Sequence, residues 1–308
     1  MTLTLGGDAM TLCAFRPKTR VALRRDGRVV NAMSVDVEDY FQVQALAPAF
    51  DRASWEQVPR RVEANTDRML DLFDAHGVRA TFFTLAWVAE RHHRLVRRIV
   101  AAGHELASHG SEHRRADEQS QAEFRQDVGR SKRSLEDIGG VAVRGYRAPT
   151  FSIGAGNPWA FDVLAEEGYA YSSSVYPVHH DLYGQPDAPR MPFHPSHAHG
   201  LEEYPITTIR LGGRNLPCGG GGFFRLLPYV VSRAAIAHIN RAEARPAIFY
   251  VHPWEIDPGQ PRVSGLPLKA QWRHTLNLDR TEARLRRLAA DFAWDRLDRV
   301  FLEELPCP

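Results

Sequence analysis

The chain has 308 residues, 44% apolar and 25% charged, with a formal net charge of +2, the balance of an ordinary folded protein. That charge gives no overall field of the kind that draws a chain to nucleic acid or to a membrane surface, and no run approaches the ~18 apolar residues of a membrane span. Three distant cysteines, Cys13, Cys218 and Cys307, are too few for a disulfide framework and suit a reducing compartment.

Residues 1–27 have weak periodicity and read as a leader. Met1 to Phe15 has no basic start, and Gly6, Gly7 and Asp8 interrupt its apolar stretches. It therefore does not match an export signal, and a cytoplasmic protein is expected. Residues 28–37 (RVVNAMSVDV) predict a strand that ends in acidic residues. Apolar positions at Val62, Met69, Leu70, Leu72 and Phe73 predict a helix within 59–76, stopped at Gly77. A strand at 80–85, a helix at 92–102 and a short strand at 104–108 follow. A charged helix at 121–138 is closed by Gly139 and Gly140. Next come a strand end at 146–148, a helix at 158–167 and a strand at 169–175. This alternation predicts βα units on a parallel sheet, open or closed into a barrel, with chemistry at the C-terminal strand ends. Residues 176–200, rich in Pro and His, read as a long functional loop or insertion. Strand character resumes at 202–210, followed by a glycine run at 219–222, a buried strand at 247–251 and an amphipathic helix at 281–291. Arg284, Arg286 and Arg287 read as the solvated face of that last helix.

Four polar motifs stand at predicted strand ends. Asp36-Val37-Glu38-Asp39 places three carboxylates in four residues; buried together they need a cation, and otherwise they form a solvated turn. In an extended strand Asp36 and Glu38 share one face and Asp39 takes the other. His109-Gly110-Ser111-Glu112-His113 has two histidines four apart, a metal-ligand spacing that fourteen histidines could also produce by chance. With one carboxylate, two histidines leave an open position on a divalent ion, the pattern of a hydrolytic centre. Arg147, in Arg147-Ala148-Pro149, could orient a carboxylate or make a surface ion pair. His252, ending the strand at 247–251, suits a general acid or a satisfied core histidine.

In this order SVDVED, SHGSEH, RAP and YVH resemble the motifs of the polysaccharide deacetylases, the NodB-homology group or carbohydrate esterase family 4, over roughly residues 30–255. The phrases VDVEDYF, YRAPTFSI, GGGGFFRLLPY and FYVHPWEID are similar to a bacterial subgroup linked to exopolysaccharide and exosortase-type systems. The resemblance implies an α/β fold: a distorted, incomplete (β/α) barrel over 28–255, a subgroup-specific region from about 203, and a C-terminal extension over 256–308 packed on the barrel. It implies an N-deacetylase acting on an N-acetylated glycan, with a divalent metal, zinc foremost, held by Glu38, His109 and His113. Asp36 would be the base, Arg147 its orienting partner and His252 the acid. Pro149, Thr150, Phe151 and Trp254 would bind substrate. Two departures stand out. The family's adjacent Asp-Asp is replaced here, which leaves Asp39 as a rival ligand, and Thr150 stands where an aromatic usually follows the R-x-P proline. Self-association stays open. An allantoinase-like cyclic-amide hydrolase and a non-catalytic saccharide-binding protein are the rival readings.

Overall fold

In chain order, a computed structural model gives β1 (Arg24–Arg25), β2 (Arg28–Val37), α1 (Val62–Ala75), β3 (Thr81–Thr84), α2 (Ala86–Arg91), α3 (His93–Ala101) and β4 (Glu105–Ser108). These are followed by α4 (Gln121–Gly139), β5 (Gly145–Tyr146), α5 (Trp159–Glu166), β6 (Tyr171–Ser172) and β7 (Glu202–Glu203). The remainder comprises β8 (Thr208–Leu211), β9 (Arg214–Pro217), α6 (Gly221–Leu226), α7 (Tyr229–Ala242), β10 (Ile248–Val251), α8 (Leu268–Thr275), α9 (Leu278–Asp291) and β11 (Ala293–Asp295). The structure describes residues 22–181, 183–195 and 200–302. Most of the expected leader, with Cys13 and Cys307, lies outside the described residues.

Strands β2 to β7 lie side by side in sequence order and parallel, and β10 and β11 also pair in parallel with β2. Parallel strands covered on both faces read as near-continuous apolar runs, here interrupted by Asn31, Ser34 and Asp36, each with a polar partner. That cover is why Val29 to Val37 is buried residue by residue. Between β7 and β10 the sheet curls without a ladder among the described residues. There the Ile248 N–H donates to Thr207 Oγ1 at 2.6 Å, and Gly220 bridges to Tyr250. The result is an incomplete (β/α) barrel. A Cβ on Gly220 would meet the Tyr250 carbonyl oxygen at 2.0 Å, and its φ is +117°, so the glycine run is what lets the chain close against β10.

Local signals set the helix limits. Helix α4 begins at Ser120 with a capping box to Glu123 and ends at Gly140, with φ +66°. The expected strand at 202–210 is broken at Pro205: β7 belongs to the barrel, while β8 and β9 form a separate hairpin. The segment after 255 does more than pack on the barrel, because β11 pairs with Val30–Ala32 inside the sheet. Arg284 is not a solvated side chain: it donates to the carbonyls of Phe224, Arg225 and Leu227 at the end of α6. Arg286 pairs with Glu282, and Arg287 lies over the Tyr229 ring. Among the described residues no helix is long and apolar enough to cross a membrane.

Candidate functional site

The mutually parallel strands β2 to β7 and β10 deliver their C-terminal ends to one rim, and the four motifs meet there. Asp36, Glu38, His109, His113, Thr150, Phe151, His252 and Trp254 line one cavity of about 170 Å³. Asp36 is the next-to-last residue of β2. Glu38 follows the end of β2, and its position two residues on keeps both carboxylates directed to the same space. His109 follows β4, and His113 sits in the turn after it with φ +53°. Asp127 of α4 holds that turn, accepting from the Ser111 N–H at 2.8 Å, while the Ser111 hydroxyl donates to the Asp127 carbonyl at 2.9 Å.

Glu38, His109 and His113 offer one ligand atom each, all within 4.8 Å of one another and all buried. His109 Nδ1 lies 2.8 Å from the Arg147 carbonyl. That carbonyl can only accept, so Nδ1 carries the proton and Nε2 presents its lone pair. Glu38 Oε2 lies 2.7 Å from His113 Nε2, yet it is buried without a hydrogen bond of good geometry. A carboxylate oxygen left unsatisfied between two imidazoles fits a divalent cation, and the donor set of two histidines and one carboxylate suits zinc. Burial raises the Glu38 pKa, but His113, with His252 and His109, overrides it and holds the carboxyl at about 2. Burial pulls His109 down to about 4. Both groups are therefore in their ligating forms at neutral pH.

Arg147 is fully buried. Its Nη1 donates to Asp36 Oδ1 at 2.7 Å and to Ser34 Oγ at 2.8 Å. Its Nε donates to the Ser173 carbonyl and its Nη2 to Ser173 Oγ, both at 3.0 Å. The guanidinium lies 4.1 Å from the Phe83 ring centre. This network fixes one Asp36 oxygen and leaves Oδ2 facing His252 Nε2 at 3.8 Å. His252 Nε2 is also 3.6 Å from Glu38 Oε1, and its Nδ1 is 3.0 Å from Glu255 Oε2. Burial lowers the His252 pKa, but Glu255, then Glu38 and Asp36, raise it to about 9. The imidazole is thus held in its proton-carrying form.

Three expected residues have other surroundings. Asp39 does not join the cavity. Its carboxylate accepts from the backbone N–H groups of Tyr40 at 2.9 Å, Arg61 at 2.7 Å and Val62 at 2.9 Å, so it ties the end of β2 to the start of α1. Pro149 is buried and does not line the cavity. Trp254 lines the cavity but is only 5% exposed: its Nε1 donates to Glu38 Oε1 at 3.2 Å, and its ring stacks on His252 and His274. Thr150 and Phe151 both have left-handed backbone, with φ +56° and +49°, the strained geometry that functional sites hold at a cost of about 1–3 kcal/mol each. Phe151 packs edge-on against Tyr176, Tyr183 and Tyr250.

Sequence reading missed Glu255 and Arg225. The Arg225 Nε donates to Glu255 Oε1 at 2.7 Å, and the pair is buried. Glu255 could have been found as the acid three residues after His252; Arg225, from α6, carried no local signal.

Residues 43–171 match the family described as polysaccharide deacetylase, and residues 173–302 match a domain of unknown function, DUF3473. The cavity draws on both segments and on Asp36 and Glu38 just before them. The chain is 33% identical over 112 residues to a chitooligosaccharide deacetylase of Bradyrhizobium sp. (strain ANU 289), covering 36% of this chain and 48% of that one. It is 31% identical over 84 residues to a peptidoglycan-N-acetylglucosamine deacetylase of Bacillus cereus, covering 27% and 30%. The chain thus spans less than half the length of these curated relatives. A crystal structure from Mycobacterium smegmatis, provisionally described as a polysaccharide deacetylase, superposes with TM-score 0.56 at 18% identity. The match covers 95% of this chain and 99% of that one and supports the fold.

Proposed function

Residues 43–171 belong to the polysaccharide deacetylase family, and from that premise we propose that this chain is a metal-dependent hydrolase that removes acetyl groups from an N-acetylated oligosaccharide or polysaccharide. The observation that carries the reading is the placing of an Arg-fixed carboxylate, Asp36, and an imidazole, His252, beside the Glu38–His109–His113 trio. The names of the two curated relatives support an N-acetylglucosamine-containing glycan. A place in exopolysaccharide biosynthesis rests on the subgroup phrases, and a cytoplasmic site of action on the sparse cysteines.

A divalent ion, zinc foremost, bound by Glu38, His109 and His113 would polarise the acetyl carbonyl and acidify a water. Asp36 takes the proton of the attacking water on Oδ2, the oxygen that Arg147 does not hold. The Thr150 backbone N–H is the candidate donor to the tetrahedral oxyanion, a contribution typically worth a few kcal/mol. His252 delivers its Nε2 proton to the departing amine, with Glu255 holding Nδ1 so that the ring keeps its orientation. Phe151 forms the wall. Trp254 acts by directing Glu38. The products are acetate and a free amino sugar.

The test measures metal content and acetate release together. Purified protein is assayed on N-acetylglucosamine oligomers, then after chelation, then after zinc is returned. Acetate that disappears with the chelator and returns with zinc is the expected result. Protein that holds no metal with His109 and His113 intact would overturn the mechanism and favour the cyclic-amide hydrolase or a saccharide-binding protein.

A further inference from the structure

Helix α8 borders two spaces at once. Arg273 and His274 line the cavity that holds Asp36 and His252. On its other side a trough of about 240 Å³ is walled by Leu46, Val263, Leu266, Leu268 and Trp272, and His274 lines this space too. The trough therefore neighbours the cavity, with the His274 side chain as their shared wall. Leu268 is 83% exposed and Trp272 55% exposed, and at i and i+4 they share one helix face. With Leu46, Val263 and Leu266 they line one apolar trough, the kind of contiguous surface that signals a ligand site. Cations flank both spaces, Arg273 at the cavity and Arg262 at the trough. Lys269 and Arg273 share the carboxylate of Asp181, at 3.0 and 2.9 Å, and Arg262 lines the trough. The ion pairs are exposed, so they are weak and exchangeable.

We propose that the substrate is an amphiphile, an N-acetylamino sugar joined through an anionic phosphate to an apolar chain. The sugar enters the cavity, the phosphate meets Arg273 and its neighbouring cations, and the chain lies along Leu268 and Trp272. A polar pocket, flanking cations and an adjoining apolar trough answer to the three parts of such a molecule. This proposal rests on the deacetylase reading and names the substrate class for that site.

The test compares acetate release from two phosphodiesters of N-acetylglucosamine 1-phosphate, one carrying a methyl and one an octyl group. The intact zinc-loaded chain should give a kcat/KM at least about tenfold higher for the octyl ester, an advantage of about 1.4 kcal/mol, expressed in KM. Replacing both exposed residues, Leu268→Ser with Trp272→Ser, should abolish that preference while turnover of the methyl ester stays within about twofold. Equal kcat/KM for the two esters, with acetate still released, would overturn the proposal and leave the deacetylase reading intact. An octyl preference that survives the double substitution would also overturn it, as would a substitution that changes only the sedimentation of the protein, which would mark the face as a self-contact. Absence of acetate from both esters and from N-acetylglucosamine oligomers would refute the deacetylase reading itself, and this proposal with it.

Discussion

Arg147 offers the sharpest test of how the site is held. Its guanidinium has no solvent exposure and makes four hydrogen bonds, one of them to the Asp36 carboxylate. Arg147→Met removes the counter-charge hydrogen-bonded to Asp36 and leaves that carboxylate buried with only the more distant His252 beside it, a change that costs about 3–5 kcal/mol. Arg147→Lys keeps one positive charge near Asp36 but loses the fork, so the Ser173 carbonyl loses its donor. An unsatisfied buried acceptor costs about 1–3 kcal/mol. Ser173 Oγ keeps its own bond to the Tyr204 carbonyl in either variant. The assay is urea unfolding followed by tryptophan fluorescence, paired with acetate release on the folded fraction. Stability should fall in the order parent, Lys, Met, and the Lys variant should lose at least about tenfold in kcat while retaining its metal. A Met variant within about 1 kcal/mol of the parent would refute the argument that this pair is a buried charge held by its partner. A Lys variant with parental kcat would refute the positioning of Asp36.

Three further outcomes are expected. Asp39→Ala should lose about 1–3 kcal/mol, because three backbone N–H groups lose their acceptor, yet it should bind zinc as the parent does; loss of metal would restore Asp39 as a ligand. Glu255→Gln should depress kcat with metal content unchanged, since it weakens the hold on His252 Nδ1 and the ion pair with Arg225 but leaves Glu38, His109 and His113 in place; unchanged turnover would count against its positioning role. The contribution of Glu105 to stability should decline as pH rises from about 4.5 through 8. Burial, then the neighbouring Asp298, raises the Glu105 carboxyl to about 8. The folded protein therefore keeps a proton that the unfolded chain has released, and that advantage is lost as pH passes the folded value. Glu105→Gln should flatten the slope of the urea midpoint between pH 6.5 and 8, and an unaltered slope would contradict the assignment.

The alternation of a strand was enough to place Asp36 and Glu38 together, and the order of apolar runs was enough to bring four motifs to one rim. Both follow from short-range geometry: side chains alternate every residue along a strand, and parallel strands end on the same side. The role of Asp39 was not legible, because its partners at Arg61 and Val62 lie more than twenty residues away and are backbone atoms that carry no sequence signature. Trp254 looked like a sugar platform because an indole near a site is amphipathic; only the approach of His274 and Glu38 makes it a buried wall. The same limit hid Arg225, Arg273 and His274, which reach the cavity from helices whose own sequence gave no sign of it. Sequence by itself determined the chemistry available and the side of the sheet on which it gathers. Tertiary structure decided which groups are desolvated, which carboxylate keeps an unsatisfied oxygen, and what surrounds the cavity. Those depend on packing between segments more than two hundred residues apart, as Glu38 and Trp254 are, where burial and partner identity are set by the fold as a whole.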